Sequence, residues 1–290
     1  MATIRQIRQR IKVAKNIQQI TKAMKMVAAA RLKRAQDRVQ AARPYAKTMR
    51  EMMTSLATAV GGQVQHPLLR SRAPRNIGFL IITSDRGLAG SYNSQMIRRA
   101  SEILREYDKN RVKLYLVGRK GIQFFGRRGF DIAAEFQINN TAVAFTEAQN
   151  ITNRLRKDFE SEELDQVIML YTRFFSPITQ KAEDVQLLPI QTPDVEDGGA
   201  PQGAEDYIFE PAADELLQAL LPRYLEGQVY QALLESVASE HGSRMTSMTN
   251  ATDNAGKMIS SLTLQMNRAR QAGITREISE IVGGAEALKG

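Results

Sequence analysis

The sequence predicts two long helices that bracket a small α/β unit with a largely parallel sheet. Apolar residues recur with helical spacing over both ends of the chain, and short apolar runs alternate with helical segments in between. Charge is also strongly segregated along the 290 residues. No run approaches the roughly 18 apolar residues that a membrane-spanning helix needs. The composition is therefore that of a globular chain with two helical extensions.

The first long helix is predicted over residues 1–60. Its apolar residues follow steps of three and four, which is typical of a coiled-coil seam, and the predicted seam changes phase twice. The predicted seam residues are Ile4, Ile7 and Ile11, then Val13, Ile17, Ile20, Met24 and Val27, then Ala28, Leu32, Ala35, Val39, Ala42, Ala46, Met49, Met53, Leu56 and Val60. Pro44 is predicted to bend this helix without ending it, because the spacing resumes beyond it. Gly61 and Gly62 are the predicted stop.

The second long helix is predicted over residues 211–284. Its seam residues are Leu217, Leu220, Leu221, Tyr224 and Leu225, followed by Met245, Met248, Thr252, Ala255, Ile259, Leu262, Met266, Ala269 and Gly273. Met, Ala, Thr and Gly bring helices close together but bury little apolar area, so we predict a slim pair. Outer faces of the first helix also carry apolar and basic residues, as at Met24, Lys25 and Met26. A helix that is apolar on several sides is typically enclosed by partners.

The α/β unit is predicted over residues 75–192. The predicted strands are Asn76–Thr83, Val112–Gly118 and Gln166–Phe174, and the predicted helices are Ser94–Tyr107, Arg119–Gly126 and Thr146–Phe159. Gln186–Ile190 is predicted to be an added edge strand, because Pro189 suits an edge better than a centre. Residues 193–210, rich in Pro, Gly and acidic side chains, are predicted to form a surface loop.

Charge and cysteine content bear on the kind of partner. Residues 1–51 contain 14 Lys or Arg and two acidic residues, whereas residues 183–215 contain ten acidic residues and no Lys or Arg. Such segregation indicates charged partners. The absence of cysteine excludes disulfides, a thiol nucleophile and a thiolate zinc site.

The turn SDRGLAGSYN, Ser84–Asn93, is the most enzyme-like feature. Glycine-bearing turns between a strand and a helix can hold phosphate on backbone amides. This turn contains neither G-x-G-x-x-G nor G-x-x-x-x-G-K-[ST], so Gly87 and Gly90 are predicted to supply positive φ and close packing. A nucleotide-using α/β enzyme that binds its ligand at these glycines remains an alternative.

No catalytic, metal-binding or cofactor-binding constellation is predicted elsewhere. His241 follows Glu240 on the second helix, and both are predicted to lie on its solvated surface because adjacent helix residues do not face one another. The basic first helix could bind nucleic acid, but it has no aromatic residue before Tyr45 and its cations surround the helix. Acidic protein partners fit better, and a nucleic-acid binder stays a third hypothesis.

The chain resembles the γ subunits of F-type ATP synthases from end to end. Five segments carry the resemblance: ITKAMKMVAAARL, TSDRGLAGSYN, DYIFEP, SRMTSMTNATDNAGKMI and ITREISEIVGGAEAL. The resemblance implies an antiparallel coiled coil of the terminal helices and a small Rossmann-like α/β domain that serves as a foot. It further implies a non-catalytic rotor shaft without cofactor, present once within a hexamer of three α and three β subunits, here called the F1 hexamer.

The resemblance also implies contacts for particular residues. Those expected to meet the β subunits are Lys22, Met24, Lys25, Arg244, Gln271, Thr275 and Glu277. Tyr207 falls where family members meet the ε subunit or the membrane c-ring. No regulatory cysteine-bearing insertion and no transit segment is present, which favours a bacterial enzyme. We therefore expect a peripheral protein on the cytoplasmic face of the plasma membrane that reaches the membrane only through the c-ring and binds no nucleic acid.

Overall fold

Two long helices flank a five-stranded sheet with three helices, so the predicted fold class is confirmed. The computed structural model describes residues 3–60, 66–191 and 212–287. The helices and strands are α1 (Ile4–Val60), β1 (Ile77–Ile82), α2 (Tyr92–Leu104), β2 (Val112–Val117), α3 (Arg119–Phe125), β3 (Asp131–Phe136), α4 (Phe145–Glu160), β4 (Gln166–Phe174), β5 (Gln180–Leu188) and α5 (Ala213–Ala287). The predicted stop at Gly61 and Gly62 and the predicted loop 193–210 lie outside the described residues.

The sheet has the strand order β3-β2-β1-β4-β5. β1, β2, β3 and β4 run parallel, and only β5 is antiparallel to its neighbour. β5 is the predicted edge strand, although it begins at Gln180 and ends before Pro189, so the predicted start at Gln186 was wrong. β3 was not predicted, because its sequence DIAAEF is short, partly acidic and only half-buried at the opposite edge.

The sheet is buried on both faces, as expected for strands joined through helices. All six residues of β1 are buried, so β1 lies at the centre of the core. The core cluster on the α2 and α3 side comprises Ile77, Phe79, Ile81, Met96, Ala100, Ile103, Leu104, Val112, Leu114, Leu116, Phe125 and Leu170. Side chains alternate along a strand, so Leu80 and Ile82 extend from the other face, where α4 buries Leu155 and Phe159.

The buried side of α1 follows one unbroken heptad pattern, and the predicted phase changes were wrong. Its buried residues are Ile7, Ile11, Ala14, Thr21, Ala28, Leu32, Ala35, Val39, Met49, Met53 and Leu56. The predicted seam residues Val13, Ile17, Ile20 and Val27 are instead 48% to 59% exposed. The prediction followed the larger side chains, whereas the helix keeps its register. Each large residue lies one position before a small or polar seam residue, about 100° around the helix.

The chain divides into two compact units. One contains α1 up to Ala28 and α5 from Met245, and the other comprises Ala29–Arg244. In the first unit, here called the coiled-coil unit, Thr252 Oγ1 donates a hydrogen bond to Thr21 Oγ1 at 2.8 Å. One turn further along α5, Gly256 lies beside Gln18, so the two helices are antiparallel. The predicted division into residues 1–60, 75–192, 193–210 and 211–284 stays a prediction.

The α5 seam predicted from Met245 to Gly273 is confirmed, because all its residues are buried or half-buried. Pro44 does not end α1, as predicted, and Pro222 likewise lies inside α5. None of the described helices is both long and apolar enough to cross a bilayer.

Candidate functional site

The strand order places the topological switch point between β1 and β4, where open α/β sheets bind ligands at the carboxyl ends of their strands. In this chain α5 lies there. Ser239 Oγ donates to the carbonyl of Thr172 near the end of β4 at 3.1 Å. Ser243 Oγ donates to the carbonyl of Ala89 in the loop after β1 at 2.6 Å. The chain's own helix therefore takes the place that a nucleotide occupies in enzymes of this architecture, which counts against the enzymatic alternative.

The loop after β1 is a structural connection. Gly90 has φ of 54°, as predicted for it, but Gly87 has no positive φ, and a Cβ added there would meet only the end of the Lys120 side chain at 3.9 Å, so the prediction for Gly87 was wrong. Leu88 takes the left-handed conformation instead, with φ of 59°. Asn93 closes the loop, since its Oδ1 accepts from the backbone N–H of Ser84 at 3.0 Å.

Glu240 and His241 are buried, so the prediction of a solvated surface was wrong. Arg244 donates to Glu240 Oε1 at 2.7 Å, and Asn140 Nδ2 donates to Glu240 Oε2 at 3.1 Å. The carbonyl of Asn140 also lies 3.2 Å from His241 Nε2. The prediction considered only neighbours on the same helix, whereas residues from the α/β domain cover both side chains.

Burial shifts the pKa values of this cluster. Desolvation raises the pKa of Glu240 above its ordinary value, although the guanidinium of Arg244 opposes the shift. Desolvation lowers the pKa of His241 to about 4, so the ring is neutral at pH 7. Burial also raises the pKa of Tyr92, whose hydroxyl faces the same region. The hydrogen bonds of Glu240 and His241 to Asn140 fix α5 to the domain, and among the described residues no cluster of acidic, His or Cys side chains could hold a metal ion.

The residues expected to contact β subunits do not form one cluster. Lys22 and Lys25 are exposed on α1, and Met24 between them is half-buried. On α5 the exposed residues of the expected set are Gln271, Thr275 and Glu277. Tyr207 lies outside the described residues.

Arg244 differs from the other expected contacts, since its side chain is only 11% exposed. It donates to Glu240 and to the carbonyl of Gly87, the latter at 3.2 Å. Within the chain its guanidinium therefore ties α5 to the loop after β1. Its expected contact with a β subunit stays a prediction.

Two apolar surfaces of the coiled-coil unit were not predicted as exposed. The first, here called the α1 stripe, consists of Val13, Ile17, Ile20 and Val27. The second, here called the α5 tip, consists of Ile274, Ile278, Ile281 and Val282. Strict continuation of the heptad from Ile7 would have identified the α1 stripe, because it places all four residues off the seam. The α5 tip lies in a segment of α5, residues 274 to 285, in which every residue is exposed.

Comparisons with known proteins agree with these features. The family model described as ATP synthase matches residues 3–288. The ATP synthase gamma chains of Desulforamulus reducens and Desulfitobacterium hafniense are 47% and 48% identical to this chain over 289 residues, with 100% of each chain covered.

Solved structures agree as well. A chain of the central stalk and c-ring of Tetrahymena thermophila mitochondrial ATP synthase matches with a TM-score of 0.62 and 27% identity, over 80% of this chain and 99% of that chain. A chain of the Euglena gracilis mitochondrial ATP synthase shares the fold with a TM-score of 0.70 at 19% identity, over 98% of this chain and 94% of that chain. The chain belongs to the family of ATP synthase gamma chains.

Proposed function

We propose that this chain is the central-stalk rotor subunit of an F1Fo ATP synthase. It couples ion-driven rotation of the c-ring to conformational cycling of the catalytic β subunits during ATP synthesis or hydrolysis. The observation that carries the proposal is the surface of the coiled-coil unit, which exposes the α1 stripe and the α5 tip. When a partner covers apolar area of this kind, the complex is stabilised by roughly 25 cal/mol per Å².

The same surface suits a shaft that turns. A rotor meets three chemically similar β subunits in succession, so its contacts must be apolar, shallow and replaceable. The seam residues Ala14, Thr21 and Ala255 are small, which keeps the helix pair slim. Lys22 and Lys25 are exposed near the α1 stripe and are free to meet acidic loops of β subunits. Exposed charges of this kind are screened by salt, so they guide contact without locking it.

The mechanism is a shift of populations among β-subunit conformations. As the rotor turns, each β subunit meets a different side of the shaft, and its preferred conformation changes with that contact. The affinity for nucleotide changes with the conformation, so ATP is released or hydrolysed at the β subunits. The rotor itself contributes no reacting group and is a non-catalytic subunit of the complex.

The α/β domain serves as the foot in this proposal. It binds the ε subunit and the c-ring, with Tyr207 at that contact, and it holds the chain on the cytoplasmic face of the bacterial plasma membrane as a peripheral protein. One copy occupies each F1 hexamer. The coupling ion is H⁺ or Na⁺, and rotation of the c-ring by that ion drives the foot.

The test is reconstitution with an F1 hexamer of α and β subunits. We expect one copy of the chain to bind per hexamer and to change its ATP turnover, whereas the isolated chain hydrolyses no ATP. Ile20→Asp places a charge on the α1 stripe and should weaken assembly. Ile178→Asp is the matched control, because Ile178 is also exposed but lies in the β4–β5 connection. Failure of the chain to bind, or ATP turnover by the isolated chain, contradicts the proposal.

A further inference from the structure

β4 extends beyond β1, its neighbour on one side of the sheet. The pairing of β1 with β4 ends at Ile81 and Leu170, whereas β4 continues to Phe174 in its pairing with β5. Backbone groups of alternate residues face opposite edges of a strand. The last residues of β4 therefore have backbone groups on the β1 side that no strand satisfies. Because Thr172 and Phe174 are buried, these groups need other partners.

Side chains of α5 supply those partners. The backbone N–H of Thr172 donates to Ser236 Oγ at 3.4 Å, and the carbonyl of Thr172 accepts from Ser239 Oγ at 3.1 Å. The backbone N–H of Phe174 donates to Glu235 Oε2 at 3.3 Å. Thr172 and Phe174 are two apart, as expected for groups on one edge. The helix thus satisfies the edge of β4 in place of a neighbouring strand.

The contacts are unusual for their surroundings. Glu235, Ser236 and Ser239 are almost fully buried, within a stretch of α5 that also buries Leu233 and Val237. Buried polar groups cost free energy unless they are hydrogen-bonded, so an all-apolar helix face would be the simpler way to pack against a sheet. Apolar contact is non-directional and tolerates rotation of one surface on another, whereas hydrogen bonds require defined distances and angles.

We propose that Glu235, Ser236 and Ser239 form a hydrogen-bonded joint that fixes the rotational setting of α5 against the sheet. Gln231 braces the joint, because its Nε2 donates to Glu235 Oε1 at 2.9 Å. This inference rests on the proposed rotor function, in which torque passes between the foot and α5. The three residues are positioning residues: they transmit torque and touch no nucleotide.

The experiment measures the torsional stiffness of the rotor in the assembled complex. The chain contains no cysteine, so the exposed Glu106 can be changed to Cys to attach a gold nanorod to the α/β domain at one site. With the F1 hexamer fixed to a surface at low ATP, the angular variance of the rod within each pause reports stiffness. We expect Ser236→Ala with Ser239→Ala to raise this variance about twofold, since directional bonds are replaced by non-directional contact, while ATP turnover is unchanged.

Ser101→Ala is the matched control. It removes a serine hydroxyl from α2 that donates to the carbonyl of Ile97 within the same helix at 2.7 Å. Its angular variance should equal that of the unchanged chain. An equal variance for the double variant, with faster amide exchange at Thr172, whose N–H bonds to Ser236, would overturn the joint, because the bonds would be lost without mechanical effect.

A second pair of variants covers the case in which the double variant does not assemble. Glu235→Gln keeps an oxygen that accepts from the N–H of Phe174 and should keep the original variance, whereas Glu235→Met removes it and should raise the variance. Equal variance for both contradicts the joint. Failure of the unchanged chain to bind the hexamer would overturn the proposed function and the joint together. Rotation with the same stiffness in every variant would overturn the joint alone.

Discussion

Two stretches of α5 show opposite relations between polarity and burial. Every residue from 232 to 242 is buried, and this stretch contains two glutamates, two serines and a histidine. Every residue from 274 to 285 is exposed, and this stretch contains the apolar α5 tip. One helix therefore places polar side chains inside and apolar side chains outside.

The difference teaches that partners, and not polarity alone, decide burial. In the buried stretch each acidic group has a donor, as Glu235 has in the N–H of Phe174 and Glu240 has in Arg244. The exposed stretch has no covering residue from the described chain, so its apolar side chains are available to another subunit. Buried polar groups with hydrogen-bond partners fix the position of α5, whereas exposed apolar groups allow one partner subunit to be exchanged for the next.

The largest expected effect comes from adding a methyl group at Gly118, directly after β2. Gly118 has φ of 88°, and a Cβ atom there would lie 2.3 Å from the carbonyl oxygen of Thr83. Gly118→Ala should lower the free energy of unfolding by more than about 3 kcal/mol, the upper end of the cost of backbone strain alone. The measurement is urea unfolding followed by tyrosine fluorescence.

Gly129→Ala is the control for Gly118→Ala. Gly129 has φ of 68°, but nothing lies within 4 Å of an added Cβ. It should cost only about 1–2 kcal/mol, which is the penalty for a left-handed L-residue. Equal costs at both positions would show that the close approach to Thr83 is unimportant.

A pair of side-chain truncations, one in each stretch of α5, tests the comparison of the two stretches more directly. Leu233 is fully buried, so Leu233→Ala should lower the free energy of unfolding by about 2–5 kcal/mol. Ile281 is 71% exposed, so Ile281→Ala should change it by no more than about 0.5 kcal/mol. Urea unfolding of both variants gives the two values. A large loss of stability for Ile281→Ala would mean that the tip is covered within the isolated chain.

Acidification should weaken the buried stretch through His241. Its pKa is about 4 in the folded chain and 6.5 ordinarily, so the unfolded chain binds the extra proton between these values. Above pH 6.5 the ring is neutral in both states and the free energy of unfolding is unaffected. As the pH falls towards 4, the free energy of unfolding decreases by up to about 3 kcal/mol. Arg244, Arg31 and Arg34 face the ring and oppose its protonation.

Glu240 acts in the opposite sense, because its raised pKa gives stability at low pH that is lost as the pH rises. His241→Gln isolates the histidine contribution. Urea unfolding between pH 7 and pH 4 should show a shallower loss of stability for this variant than for the unchanged chain. Parallel pH profiles would exclude His241 as a source of the dependence.

The smallest of the expected losses of stability concerns the seam of the coiled-coil unit. Thr252 and Thr21 share a hydrogen bond there, so Thr21→Val should cost about 1 kcal/mol by leaving one hydroxyl without that partner. The double variant with Thr252→Val should recover part of the loss, since both hydroxyls are then gone. Thermal unfolding monitored by circular dichroism supplies the comparison, and additive losses would argue against a direct interaction.

The sequence predicted where most strands and helices lie better than it predicted which of their faces are buried. β1, β2, β4 and α4 were predicted because a continuous apolar run and a helical period are local signals. β3 was missed because its polarity resembles that of a loop. The α1 seam was misplaced because side-chain size suggested a change of phase, whereas the residues that α1 buries there are the smaller Ala14 and Thr21.

The joint on α5 and the burial of His241 could not be predicted from local pattern. The joint depends on where β4 extends beyond β1, which is a matter of strand register between distant segments. The burial of His241 depends on Asn140, which is about a hundred residues away in the sequence. The residues expected to contact β subunits came from resemblance, and the exposure of Lys22, Lys25 and Gln271 is compatible with that role. Periodicity alone gave no reason to choose them.

The most direct test of the account is to observe rotation. The chain labelled at Glu106→Cys is assembled with a surface-fixed F1 hexamer, and the angle of the attached rod is followed after ATP is added. The account predicts rotation in one direction with pauses at three angles, one for each β subunit. A rod that stays at a fixed angle while the complex hydrolyses ATP would contradict it.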